Sequence, residues 1–144
     1  MESLSEKAAY KLAAEAHAGQ VDKAGRTYIT HLSKVARSPR LITGEEKAAG
    51  WLHDSIEDTW VDIPYLERAG FGVGVVMMVD TLTRREGEEY FEYIARVSRF
   101  DATRRIKLAD IDDHLEDTSS LGESHRIRYA RAKNYLLLGS VDEV

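Results

Sequence analysis

The sequence has no cysteine, only two prolines in 144 residues, and no long apolar run. Without cysteine there are no disulfide staples, thiolate metal sites or cysteine nucleophiles, which is compatible with a reducing compartment. No stretch approaches the roughly 20 apolar residues that span a bilayer, and residues 1–10 are polar and mixed in charge instead of carrying a signal-peptide core. A soluble, cytoplasmic protein with no membrane partner is expected. Positive charge is also in short supply: 20 Lys and Arg stand against 25 Asp and Glu, a formal charge of −5. With no broad cationic surface for a polyanion, no nucleic-acid partner is expected. The chain does contain 43% hydrophobic residues, enough for one core and too few for two full domains. A single domain over residues 1–144 is the expectation.

Scarce proline leaves long uninterrupted segments, most with apolar residues at three- and four-residue spacing, the helical signature. The fold class read from this is all-α, a compact bundle of seven or eight helices. Ser3 with Glu6 forms a capping box ahead of Leu4, Ala8, Leu12 and Ala16, with Gly19 as the stop. Residues 20–28 read as a polar loop, followed by a short helix closed by Pro39. Thr43 with Glu46 is a second capping box, opening a helix that runs through Trp51 and Leu52 to Ile56. Asp62 and Pro64 mark the next start, and Gly70 its end. Residues 73–82 are apolar and β-branched enough for a strand, but no other segment alternates with period two to pair with them, so they read as a buried helix. Helices over 88–99, 101–117 and about 123–138 follow, the second capped by Asp101 and the last stopped by Gly139.

Several groups in these helices are ones a core would not choose: His31, His53 with Asp54, Glu57 with Asp58, and Asp110. Read as one helix, residues 51–58 place His53, Asp54, Glu57 and Asp58 three or four apart on one side, where like charges repel. Following Trp51 and Leu52, this cluster reads as partly buried, and a bound cation would resolve the repulsion. Asp110 stands beside the apolar stripe of Ile106 and Ala109. Taken singly, Asp110 reads first as a cap or an arginine partner, and His31 as a hydrogen-bonded histidine near a helix start. Together, two imidazoles and two carboxylates suit a divalent metal such as Mn, Fe or Zn. Glu57 and Asp58 are then placed for acid and base work.

The motif order resembles the HD-domain superfamily of metal-dependent phosphohydrolases. More closely, Gly19-Gln20 through Gly25 and Tyr28-Ile29-Thr30-His31, then Leu52-His53-Asp54-Ser55-Ile56-Glu57-Asp58-Thr59, then Lys107-Leu108-Ala109-Asp110, resemble the hydrolase domain of RelA/SpoT-type proteins, in register over residues 9–117. The resemblance implies a small, stand-alone alarmone hydrolase with an HD-type bundle. In it His31, His53, Asp54 and Asp110 hold Mn2+, Glu57 and Asp58 are the acid/base pair, and pyrophosphate leaves the 3′ position of (p)ppGpp to give GDP or GTP. It also implies that no synthetase module is present. Against the family pattern, Asp22 replaces an arginine, Thr27 and Leu32 replace prolines, and Ile111-Asp112-Asp113-His114 replaces Arg-Leu-His-Asn. An imidazole thus stands at the position that contacts the nucleotide in the family.

The candidate substrate-binding residues are Lys23, Tyr28, Arg84, Lys107 and His114, with Arg85 a further cation nearby. Lys23 lies in the loop leading to His31, Tyr28 either lines the site or packs the loop, and Arg84, Arg85 and Lys107 could equally pair with Glu86, Glu88 or Glu89. Tyr90 and Tyr93 read as ordinary packing. Residues 70–74 are a glycine-rich helix-to-helix turn that lacks the lysine and hydroxyl of a phosphate loop. Arg126, Arg128, Arg131 and Lys133 read as a solvated face or an intersubunit surface, and the apolar end at 135–138 leaves a homo-oligomer open. Two alternatives stand beside alarmone hydrolysis: an HD phosphohydrolase for another small phosphorylated nucleotide or dinucleotide, and a non-catalytic metal- or nucleotide-binding module.

Overall fold

The computed structural model describes residues 4–116 and 121–138. The chain runs α1 Leu4–Ala16, α2 Tyr28–Ala36, α3 Gly44–Leu52, α4 Ser55–Asp58, α5 Ile63–Arg68, α6 Val73–Leu82, α7 Tyr90–Val97, α8 Asp101–Glu116 and α9 Glu123–Leu138. Among the described residues there are thus eight helices and one single helical turn, α4, with no strand beyond an isolated bridge between Val21 and Thr27. The cap at Ser3 and the stop at Gly139 lie outside the described residues.

Local chemistry sets the helix ends. The Thr43 hydroxyl oxygen accepts from the Glu46 N–H at 3.1 Å as the sequence indicates, while the Glu46 carboxylate reaches one residue past the cap, to the Ile42 N–H at 3.2 Å. Asp62 accepts from the Tyr65 N–H at 2.8 Å to start α5, and Gly70, at φ 92°, turns the chain out of it. The 73–82 segment is helical as expected, but only Val75, Val79 and Leu82 are buried, while Val73 and Met77 are 78% and 54% exposed. It buries an i, i+4 stripe and not its whole circumference.

The sequence reading joins α3 and α4 into one helix, and the structure breaks it at His53 and Asp54. The His53 Nδ1–H donates to the Gly50 carbonyl at 2.7 Å, and the Ser55 hydroxyl donates to the Leu52 carbonyl at 2.7 Å. Both side chains take up carbonyls at the end of α3, which closes the helix there. His53 and Asp54 are therefore presented from a corner and not from a helix face shared with Glu57.

α3 is packed against α1, α2, α6 and α8, and α8 in turn against α2, α7 and α9. Leu32, Val35, Leu52, Ile106 and Ile111 are fully buried between them. A Cβ on Gly50 would stand 3.1 Å from the Ala36 Cα, so glycine is what lets α2 and α3 approach this closely. That approach brings His31 of α2, His53 at the end of α3 and Asp110 of α8 to one place.

Candidate metal centre and its cleft

His31, His53 and Asp110 are 2%, 2% and 3% exposed, and with half-buried Asp54 each offers one ligating atom, all within 4.8 Å of one another. The Gly50 carbonyl can only accept, so it fixes the proton of His53 on Nδ1 and leaves an Nε2 lone pair. That nitrogen faces Asp54 Oδ2 at 3.1 Å and Asp110 Oδ1 at 3.3 Å. His31 repeats the arrangement: its Nδ1 lies 2.6 Å from the Asp113 carboxylate, and its Nε2 is 2.9 Å from Asp110 Oδ1 yet not aligned for a hydrogen bond with it or any other group. Imidazole nitrogens and carboxylate oxygens turned on one another in a buried space repel unless a proton or a metal cation lies between them. The donor set, two nitrogens and two oxygens, fits a borderline divalent cation.

The surroundings keep both carboxylates ionised. Burial alone would raise the Asp110 pKa, but Lys107, with Nζ 2.8 Å from Oδ2, and then His114 hold it well below the usual range. Asp54 is held low in the same way, with His53 overcoming burial, and it also accepts from the Tyr28 hydroxyl at 2.5 Å. Burial would lower His31, but Asp110 and Asp113 outweigh it and push its pKa up to about 9.

Glu57 and Asp58 lie at the surface just past this corner. Partial desolvation, with the Asp54 charge, raises both carboxyls above their ordinary values. Glu57 accepts from the Arg84 N–H at 2.6 Å. It lines, with Asp54, a cavity of about 220 Å³ next to the cluster, whereas Asp58 is not in the lining.

Residues 9–116 match the HD domain family. The chain belongs to the HD domain family. The chain is 33% identical over 136 residues, 83% of its length, to a guanosine-3′,5′-bis(diphosphate) 3′-pyrophosphohydrolase of Haemophilus influenzae, and covers 20% of that protein. It is 30% identical over 136 residues, 85% of its length, to the bifunctional (p)ppGpp synthase/hydrolase SpoT of Escherichia coli, of which it covers 19%. The chain thus spans about a fifth of the length of these curated relatives. A solved structure of a metazoan SpoT ortholog described as hydrolysing ppGpp superposes with a TM-score of 0.81 at 22% identity, over 99% of this chain and 91% of the other, and shows the same fold.

Around the centre of this HD domain, the structure sorts the candidate substrate contacts. Lys23 and Arg84 line the 220 Å³ cavity, together with Lys107. Lys107 does not pair with Glu86, Glu88 or Glu89; it lies half-buried against Asp110, with its Nζ 5.1 Å from the Tyr93 ring centroid. Arg85 is tied to Asp80 and to the Thr83 carbonyl, away from the cavity. His114 Nε2 is 3.3 Å from Asp110 Oδ1, and its ring is stacked on Tyr129 with an interplanar angle of 1°. Both line a second cavity with Lys23 and Arg26.

Sequence reasoning missed Asp113, buried behind His31 and flanked by Arg26 at 3.4 Å. Its signal was available, because Asp110 and Asp113 are i and i+3 on α8. It also missed that Tyr90 and Tyr93 line the cavity, and that Lys133 of α9 returns to Asp112 at 3.0 Å instead of facing solvent alone.

Proposed function

We propose that this chain hydrolyses the 3′-diphosphate of (p)ppGpp, releasing pyrophosphate and leaving GDP or GTP, with Mn2+ held by His31, His53, Asp54 and Asp110. The observation that carries the reading is the turning of the Nε2 atoms of both imidazoles onto one shared carboxylate, beside a cavity lined by cations. Such a cation, when bound, polarises a phosphoryl oxygen and acidifies water.

The chain's own groups do the rest. Asp113 and the Gly50 carbonyl fix the tautomers of the two histidines. Tyr28 orients Asp54 through its hydroxyl, and Lys107 fixes Asp110. Glu57, whose carboxyl is raised above its ordinary value by burial and the Asp54 charge and whose place is the cavity wall, gives a proton to the 3′ oxygen as its bond to phosphorus breaks. Asp58, one residue on and also raised, is the second member of the acid/base pair. Lys23 and Arg84 neutralise the phosphates.

A second reading, hydrolysis of another small phosphorylated nucleotide or dinucleotide, is favoured by the second cavity. Asp22, at the family's arginine position, spends its carboxylate on the Ala24 N–H, the Arg26 N–H and the Arg26 side chain, at 2.8 to 2.9 Å. His114 in turn packs on Tyr129. The base-side wall thus differs in chemistry from an arginine and an amide.

The test is pyrophosphate release from ppGpp by Mn-loaded protein, with metal-stripped protein and Asp54→Ala as controls. Metal-dependent release is expected. A protein that holds one Mn2+ per chain and releases no pyrophosphate from ppGpp would overturn the alarmone reading in favour of the second one.

A further inference from the structure

The sequence gives no reason to single out Arg128 from the other cations of α9, but the structure sets it apart. Its Cζ lies 3.6 Å from the centroid of the Tyr90 ring, the separation of a guanidinium laid on the ring face. Arg84 approaches the same ring at 5.7 Å, with its Nε anchored to the Glu88 carbonyl at 2.9 Å. A stacked guanidinium keeps its plane while its N–H donors point outward as a fork. Among the described residues neither Arg128 nor Lys23 has a carboxylate within ion-pair distance, and both line the same cavity as Arg84. In a chain with five more acids than bases, cations left unpaired around one cavity mark a place for an anion. The Tyr90 hydroxyl, on the same wall, is buried and has no hydrogen-bond partner.

Asp54 and Glu57, beside the metal cluster, line the cavity together with the cations Lys23, Arg84, Lys107 and Arg128. We propose that Arg128, with Lys23 and Arg84, binds the outer phosphoryl group of a diphosphate ester whose inner phosphoryl lies at the metal cluster. α9 is then part of the substrate site, and diphosphate esters are selected over monophosphate esters by a bidentate contact. This deepens the function proposed above and depends on it for the reaction, not for the binding.

The test uses protein loaded with one Mn2+ per chain, dialysed free of excess metal, and titrated calorimetrically with inorganic pyrophosphate and with orthophosphate. Arg128→Gln is expected to weaken pyrophosphate about 10- to 100-fold, leaving orthophosphate and Mn2+ affinity as in the wild type. Arg128→Lys, which keeps the charge without the fork, should fall between. Arg131→Gln, on the same helix but set against Phe91 at 5.1 Å, should match the wild type throughout. Unchanged pyrophosphate binding in Arg128→Gln, or an equal loss for orthophosphate, overturns the proposal. Pyrophosphate binding that depends on Arg128 in a protein inert toward ppGpp upholds the subsite and instead defeats the alarmone reading.

Discussion

Two buried carboxylate sites tie α3 to α8, one at each end of α3, and they are built on opposite terms. At the first end Glu46, 2% exposed, receives Arg105 through two contacts of 2.8 and 3.0 Å, the Ile42 N–H at 3.2 Å and the Thr43 hydroxyl at 3.1 Å. Every lone pair that burial strips of water has a donor. At the other end Asp110 Oδ1 lies 2.9 to 3.3 Å from nitrogens of His31, His53 and His114, while the N–H of His53 is already committed to a carbonyl. The first site is saturated by donors of the chain; at the second Lys107 satisfies Asp110 Oδ2 at 2.8 Å, and Oδ1 is left to imidazole nitrogens that need a proton or a metal ion between them. Burial of charge alone therefore does not mark function, and the distinction lies in whether the protein's own donors saturate its acceptors.

The comparison is broken most forcefully at the second site. Asp110→Ala should reduce pyrophosphate release to that of metal-stripped protein, measured with ppGpp, whereas Arg105→Ala should retain turnover at temperatures where it is folded. Glu57→Ala comes next: it should lower kcat by roughly 10²- to 10⁴-fold while binding Mn2+ as the wild type does, because Glu57 lies outside the four ligands. Wild-type turnover in that variant would remove Glu57 from the acid/base role.

How much of this was legible in the sequence follows from what each feature rests on. The all-α class was, because proline is scarce and the apolar spacing is local. The four proposed ligands stood out because histidines and aspartates beside Leu52, Ile106 and Ala109 have no reason to be in a core. The Thr43 box was also legible, since both its partners are three residues apart. Glu46 as an anchor for Arg105 was not, because the partners are 59 residues apart and either alone reads as a surface charge. The break at His53 was hidden because its cause is a side chain capping its own helix. Arg128 was hidden for a third reason: a basic helix face looks the same whether it meets water or the rings of α7.

Asp113→Asn sharpens the comparison from within the second site. It keeps the size of the group behind His31 but weakens the contact that orients the ring, and Mn2+ affinity is expected to fall about 10- to 100-fold, read by calorimetry. Unchanged affinity would mean that Asp113 only packs. The smallest effect belongs to the first site. Arg105→Ala should cost about 1–3 kcal/mol of stability, read by chemical denaturation with and without Mn2+, and the loss should be the same in both. Its pH dependence has a definite sign. Burial pushes the Glu46 pKa up, but the Arg105 contact and the Ile42 N–H outweigh it and set the folded value below the ordinary 4.5. The contribution is therefore full above about pH 4.5 and fades as the pH falls through the lower folded value, so the variant and wild type should converge in acid.

The most direct measurement is the Mn2+ dependence of the melting temperature for the wild type, Arg105→Ala and Asp110→Ala. Metal at a hundred times its dissociation constant stabilises a folded protein by about 2.7 kcal/mol. The wild type and Arg105→Ala should both gain that increment from their different starting points, and Asp110→Ala should gain none. A wild-type melt indifferent to Mn2+, or an Asp110→Ala melt that rises with the metal as the wild type does, would contradict the claim that this end of α3 is completed by a cation.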